Sequence, residues 1–217
     1  MLMLLTGCTS LTSLMFYPRQ DFPVGTLEAV LHPSKPDAPW AVICHPHPLF
    51  AGTMDNKVVT TIAKACNEVG LNALRFNFRG VGASAGQYDN AVGEVDDTLA
   101  VIKWLQTAHS AKQFVLAGFS FGSYVAAAAS RETDADVSHL LLVAPPVHHF
   151  PFVEINAAAG TCQCSDGDAD EVVPFEEVDH WVNTQYPPMD YTVFTGCGHF
   201  FHGYLPALKD WLKQQLL

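Results

Sequence analysis

A chain of 217 residues, 49% hydrophobic and only 15% charged, can bury a large core, and its length fits one domain better than two. Twenty-two acidic residues against 11 basic ones give a field that repels phosphate backbones, so no nucleic-acid partner is expected. No run approaches the roughly 20 apolar residues of a membrane span, and there are no repeats or low-complexity tracts.

At the N-terminus, Leu5-Thr6-Gly7-Cys8 resembles a lipoprotein cleavage box, in which Cys8 would carry a lipid anchor. Against that, the apolar stretch before it is only residues 1–5 and no Lys or Arg precedes it. Residues 1–20 are therefore set apart as an extension or signal remnant, and residues 21–217 as the domain. Short apolar, β-rich runs follow at residues 26–31, 40–44, 73–78, 114–117, 139–143 and 191–194. Helical patterns alternate with them. Val58, Ile62, Ala65, Cys66 and Val69 mark one apolar face, Val95, Leu99, Ile102 and Leu105 a second, and Leu205, Leu208, Leu212 and Leu216 a third. Such alternation predicts βαβ units and a mostly parallel central sheet with helices on both faces. The run at residues 161–166 is Thr-Cys-Gln-Cys-Ser-Asp, too polar for a firm interior strand, so a short or frayed one is expected there. About two dozen residues separate Val143 from Gly167, too few for a lid domain.

Six cysteines in a chain of this length do not read as a disulfide framework; Cys44 and Cys66 fall on apolar runs, and Cys162 and Cys164 lack structural zinc spacing. A reducing, cytoplasmic setting is the simpler expectation, with the Cys8 anchor as the alternative. Arg79-Gly80-Val81-Gly82 lacks both a dinucleotide spacing and a Walker lysine, so it reads as a structural loop in which Arg79 ties its neighbours, and no cofactor is expected.

The residues that carry chemistry begin with Gly118-Phe119-Ser120-Phe121-Gly122, placed where an apolar strand meets a helix of small residues. A serine hydroxyl at such a turn becomes a nucleophile only beside a base that a third group orients. Downstream, an acidic loop (Gly167-Asp168-Ala169-Asp170-Glu171-Val172-Val173-Pro174) precedes a helix starting near Pro174. His199 follows a glycine loop off the last strand, in Gly196-Cys197-Gly198-His199. The order Ser, acid, His makes His199 the base, and leaves Asp168, Asp170 and Glu171 as candidate acids.

Together with Cys44-His45-Pro46-His47-Pro48-Leu49-Phe50 and Arg75-Phe76-Asn77-Phe78-Arg79-Gly80, these segments resemble the α/β-hydrolases, in particular a small bacterial group without a lid. The resemblance covers most of the chain. It implies the α/β-hydrolase fold, selects Asp170 as the acid, and implies an oxyanion hole from the backbone N–H of Phe121 and a donor in the loop at residues 45–48. Pro46 and Pro48 have no N–H, which leaves His47. His45 is expected to brace that loop and, with Phe119 and Phe150, to border the substrate. The implied function is a serine hydrolase, a carboxylesterase of small accessible acyl esters working through an acyl-Ser120 intermediate, with thioesters or small amides as variants. Two other readings stay open: metal-assisted hydrolysis or metal binding through His45, His47, His199 and His202, and a non-catalytic binding module on the same scaffold. The sequence is silent on oligomeric state.

Overall fold

The computed structural model describes residues 25–152 and 161–217, together with the backbone of residues 13–15. Eight strands form among the described residues: β1 (Ser13–Met15), β2 (Glu28–His32), β3 (Trp40–Cys44), β4 (Asn72–Phe76), β5 (Gln113–Phe119), β6 (Asp136–Val143), β7 (Thr161–Gly167) and β8 (Asp190–Phe194), the six apolar runs giving all but β1 and β7. They form one sheet in the order β1-β2-β4-β3-β5-β6-β7-β8. β1 and β2 are antiparallel to their neighbours, and the six strands from β4 to β8 run parallel. Residues 13–15, inside the segment set apart as an extension, thus add an edge strand; the Cys8 box lies outside the described residues.

Parallel strands must be covered on both faces, which is why β3, β5 and the second half of β6 are almost wholly apolar. On β5 alternate side chains divide between two cores. Phe114 and Leu116 join one with Val95, Ile102 and Leu105 of α2 (Val92–Ala108) and Val125 and Ala129 of α3 (Phe121–Glu132). Val115, Ala117 and Phe119 join the other, with Val58, Ile62 and Cys66 of α1 (Lys57–Glu68) and Leu208 and Leu212 of α5 (Leu205–Gln215). Each fully buried Ile, Leu or Phe contributes about 1.5–3 kcal/mol to this packing. The helix stripes read from the sequence are the faces that are buried.

β7 departs from expectation. Its seven residues form a regular strand, paired with β6 on one side and β8 on the other, and residues 163–167 are buried. Ladders on both sides hold the backbone extended whatever the side chains, and α4 (Phe175–Asn183) covers it with Val178 and Val182 against Cys164. Arg79 ties its loop as expected: its guanidinium reaches Asp97 at 2.8 Å through Nη2, and its backbone N–H donates to the same carboxylate.

Candidate active site

β5 ends at Phe119 and α3 begins at Phe121, so Ser120 alone makes the turn. Its backbone sits at φ 53° and ψ −124°, a conformation that L-residues adopt rarely and at a cost of about 1–3 kcal/mol. The flanking glycines make this turn feasible. A Cβ at Gly118 would overlap the carbonyl of Gly122, and one at Gly122 would overlap the carbonyls of Cys44 and His45. The turn is pinned by the Ser120 N–H donating to Val143 O at 2.8 Å and by Ser123, whose N–H and hydroxyl both donate to Ser120 O.

The loop after β8 brings His199 to this serine across 79 residues of sequence. Its Nε2 lies 3.1 Å from Ser120 Oγ, and its Nδ1 lies 2.7 Å from Asp170 Oδ2. Asp170 Oδ1 accepts the N–H groups of Val172 at 2.8 Å and Val173 at 2.7 Å, so the carboxylate, whose side chain is fully buried, cannot swing away. With Nδ1–H donating to that carboxylate, Nε2 is left as the acceptor facing the hydroxyl. The other two candidate acids have separate partners: Glu171 Oε2 accepts the backbone N–H of His199 at 3.1 Å, and Asp168 accepts the N–H of Gly196. Both hold the His199 loop. Neither contact had a sequence signal beyond the acidity of the loop.

The N–H groups of Phe121 and His47 donate to no acceptor among the described residues, and both residues line the same cleft as Ser120 and His199. His47 is held by its own ring, whose Nδ1 accepts the N–H of Leu49 at 3.2 Å and caps the short turn Pro48–Phe50. Burial pulls its pKa below the usual imidazole value.

Two expected substrate contacts are corrected. His45 is fully buried and takes no part in lining the cleft: its Nδ1–H donates to Pro46 O at 2.6 Å and its Nε2 accepts the N–H of Phe78 at 3.0 Å. Only its bracing role remains, and burial pushes its pKa down to about 4. Phe119 is also fully buried, because alternation along β5 points it into the α1–α5 core, where its ring packs 5.0 Å from that of His199. Phe150 does border the cleft, stacked on Tyr124 at 4.8 Å and edge-on to Phe121 at 5.4 Å. Nor do the four histidines converge: His47 and His199 line the cleft, while His45 and His202 do not. No group of three or more metal-ligating side chains is gathered among the described residues.

The cleft has a volume of about 440 Å³ and opens at the C-terminal ends of the parallel strands, where ligands bind in open α/β sheets. Among the described residues no Lys, Arg, Asp or Glu lines it. Its mouth carries Phe50, Val172 and Phe200, exposed by 83%, 49% and 42%, from three loops that only the fold brings together. A larger recess of about 600 Å³ lies at the opposite ends of the strands, between residues 33–40 and 109–113, and contains none of the groups described above. No helix among the described residues is long and apolar enough to cross a membrane.

Comparison with known proteins places this geometry in context. The family profile described as alpha/beta hydrolase fold matches residues 47–171. An uncharacterized protein of Rickettsia prowazekii is 35% identical over 192 residues, covering 82% of this chain and 80% of the relative. Among solved structures, an alpha-beta serine hydrolase homologue from Coxiella burnetii is 42% identical, with a TM-score of 0.87 over 98% of this chain and all (100%) of the other. A lid-less a/b serine hydrolase from Xanthomonas campestris is 34% identical, with a TM-score of 0.87 over 97% of this chain and 95% of the other.

Proposed function

Because the chain is a hydrolase of the α/β-hydrolase family, we propose that it is a carboxylesterase of small, uncharged esters, with Ser120 as nucleophile, His199 as base and Asp170 as the acid. The observation that carries this reading is the unbroken chain of short contacts from Ser120 Oγ through both ring nitrogens of His199 to a buried carboxylate. In the first step the Ser120 proton passes to Nε2 as Oγ bonds to the ester carbonyl carbon. The carbonyl oxygen becomes an oxyanion and takes hydrogen bonds from the N–H groups of Phe121 and His47, a stabilisation of about 3–4 kcal/mol per donor where measured elsewhere. Collapse of the tetrahedral centre expels the alkoxide, which leaves with the proton from Nε2, and acyl-Ser120 remains. A water molecule then gives a proton to Nε2 as its oxygen bonds to the acyl carbon; the bond from that carbon to Oγ breaks, Oγ takes the proton back from Nε2, and the carboxylic acid leaves. Asp170 stays ionised throughout and stabilises the imidazolium.

None of the described residues that line the cleft is charged, which supports uncharged substrates, since an anion meets no cation among them. Thioesters and small amides fit the same steps. The five described cysteines are unpaired thiols, which supports a reducing, cytoplasmic setting.

The test is fluorophosphonate labelling of the purified protein alongside p-nitrophenyl esters of graded chain length. Ser120→Ala is expected to abolish labelling and lower turnover by on the order of a thousandfold or more while leaving the fold intact. Labelling at another serine refutes the assignment. Acyl groups of about two to six carbons are expected to give the highest kcat/KM, because each further methylene gains about 0.8 kcal/mol only while the cleft still buries it.

A further inference from the structure

Asp166 is the last residue but one of β7, at the end of the run that reads as too polar for an interior strand, and it is fully buried. Its Oδ1 accepts the N–H of Gly167 at 2.9 Å, whereas its Oδ2 is buried with no donor among the described residues. The charged side chain that bears on it is another carboxyl, Asp170, four residues on. Two carboxyl groups hydrogen-bond to each other only when one carries a proton. Asp170 already accepts two backbone N–H groups and faces the Nδ1–H of His199, so it is the better-compensated anion. Asp166 has a single N–H donor, and the proton belongs on its Oδ2.

Resting on the Ser120–His199–Asp170 reading above, we propose that Asp166 is a positioning residue: its carboxyl stays neutral and donates its proton to Asp170, holding that carboxylate ionised and turned toward His199 Nδ1. Burial first, and then the charge of Asp170, raises the Asp166 pKa to about 8. The other titratable groups around it offer no cation. They are Cys164 on the same strand, Tyr191 on β8, Cys197 in the loop before His199, and Asp179 on α4, which acts on Tyr191. Burial pushes both thiols and the phenol upward, so all three are neutral when Asp166 titrates. Deprotonation of Asp166 sets a second negative charge beside Asp170 and removes the hydrogen bond that held it. Turnover therefore declines as pH rises through about 8.

The experiment combines ¹³C NMR titration of the aspartate carboxyls with pH profiles of p-nitrophenyl acetate hydrolysis, for the unmodified protein, Asp166→Asn and Asp166→Leu. The resonance missing from the Asp166→Asn spectrum is expected to titrate near pH 8 in the unmodified protein. Asn keeps a neutral donor, so Asp166→Asn should hold kcat at neutral pH within about threefold and lose the alkaline decline. Leu has no donor, and Asp166→Leu should lower kcat by about tenfold or more with KM unchanged. Asp166 titrating in the ordinary carboxylate range overturns the proposal whatever the turnover, and so does an Asp166→Asn variant that keeps the alkaline decline. Titration near pH 8 in a protein that hydrolyses no ester instead refutes the catalytic reading, while the NMR result for the carboxyl pair stands.

Discussion

Replacing His45 by Gln tests whether this histidine is a buried, neutral strut. In the unfolded chain an imidazole takes up a proton as pH falls below about 6.5; in the folded protein His45 does so only near 4. Acid therefore favours the unfolded state between these values. The stabilisation is complete above about pH 6.5 and is lost as pH falls toward the folded value, with a span of roughly 3 kcal/mol at 1.36 kcal/mol per unit. Between about pH 7.5 and pH 5 the loss amounts to about 2 kcal/mol. Urea denaturation of the two proteins at both pH values isolates this contribution, because every other titrating group, Asp166 included, is common to both and cancels in the difference. The unmodified protein should lead His45→Gln by about 1–3 kcal/mol at neutral pH, reflecting the bonds to Pro46 O and from Phe78 N–H. That lead should shrink by about 2 kcal/mol at pH 5. An equal lead at both pH values would show that His45 titrates alike in the folded and unfolded chains, and the strut argument would fail.

The choice among acids separates cleanly by kinetics. Asp170→Asn should lower kcat on the order of 10³–10⁴-fold by removing the charge that stabilises the imidazolium. Asp168→Asn, which changes only an acceptor for the Gly196 N–H, should cost far less, and the opposite ranking would reassign the acid. Gly118→Ala should abolish fluorophosphonate labelling and lower the melting temperature, since its Cβ meets the backbone of Gly122, which cannot yield while Ser120 holds its left-handed turn. A Gly118→Ala protein with normal labelling and stability would contradict the account of the turn.

Local pattern carried much of this protein. The strand–Ser120–helix turn was legible because everything it needs lies within a few residues: an apolar strand, glycines two positions either side, and a small-residue helix. The alternation of β and α patterns determined a parallel sheet covered on both faces, and the helix stripes determined which sides are buried. The order of Ser120, Asp170 and His199 was readable too, though choosing Asp170 among three acids leaned on a family resemblance. Direction was harder to read. His45 and Phe119 sit beside site residues in the chain, yet one ring bonds Pro46 O and Phe78 N–H and the other faces the α1–α5 core.

β7 marks the boundary most sharply. By composition it is a poor strand, and only pairing to β6 and β8 keeps it extended, because ladder hydrogen bonds on both edges are indifferent to side chains. The sequence by itself determined most of the elements and the places of Ser120 at the strand–helix turn and of His199 in the late glycine loop, since those depend on spacing along the chain. Tertiary structure alone decided what Asp168 and Glu171 hold instead, which rings line the cleft, and that Asp166 is buried with one oxygen unpartnered among the described residues. Each of those depends on distances between segments far apart in sequence, and on the desolvation that comes only when those segments pack together.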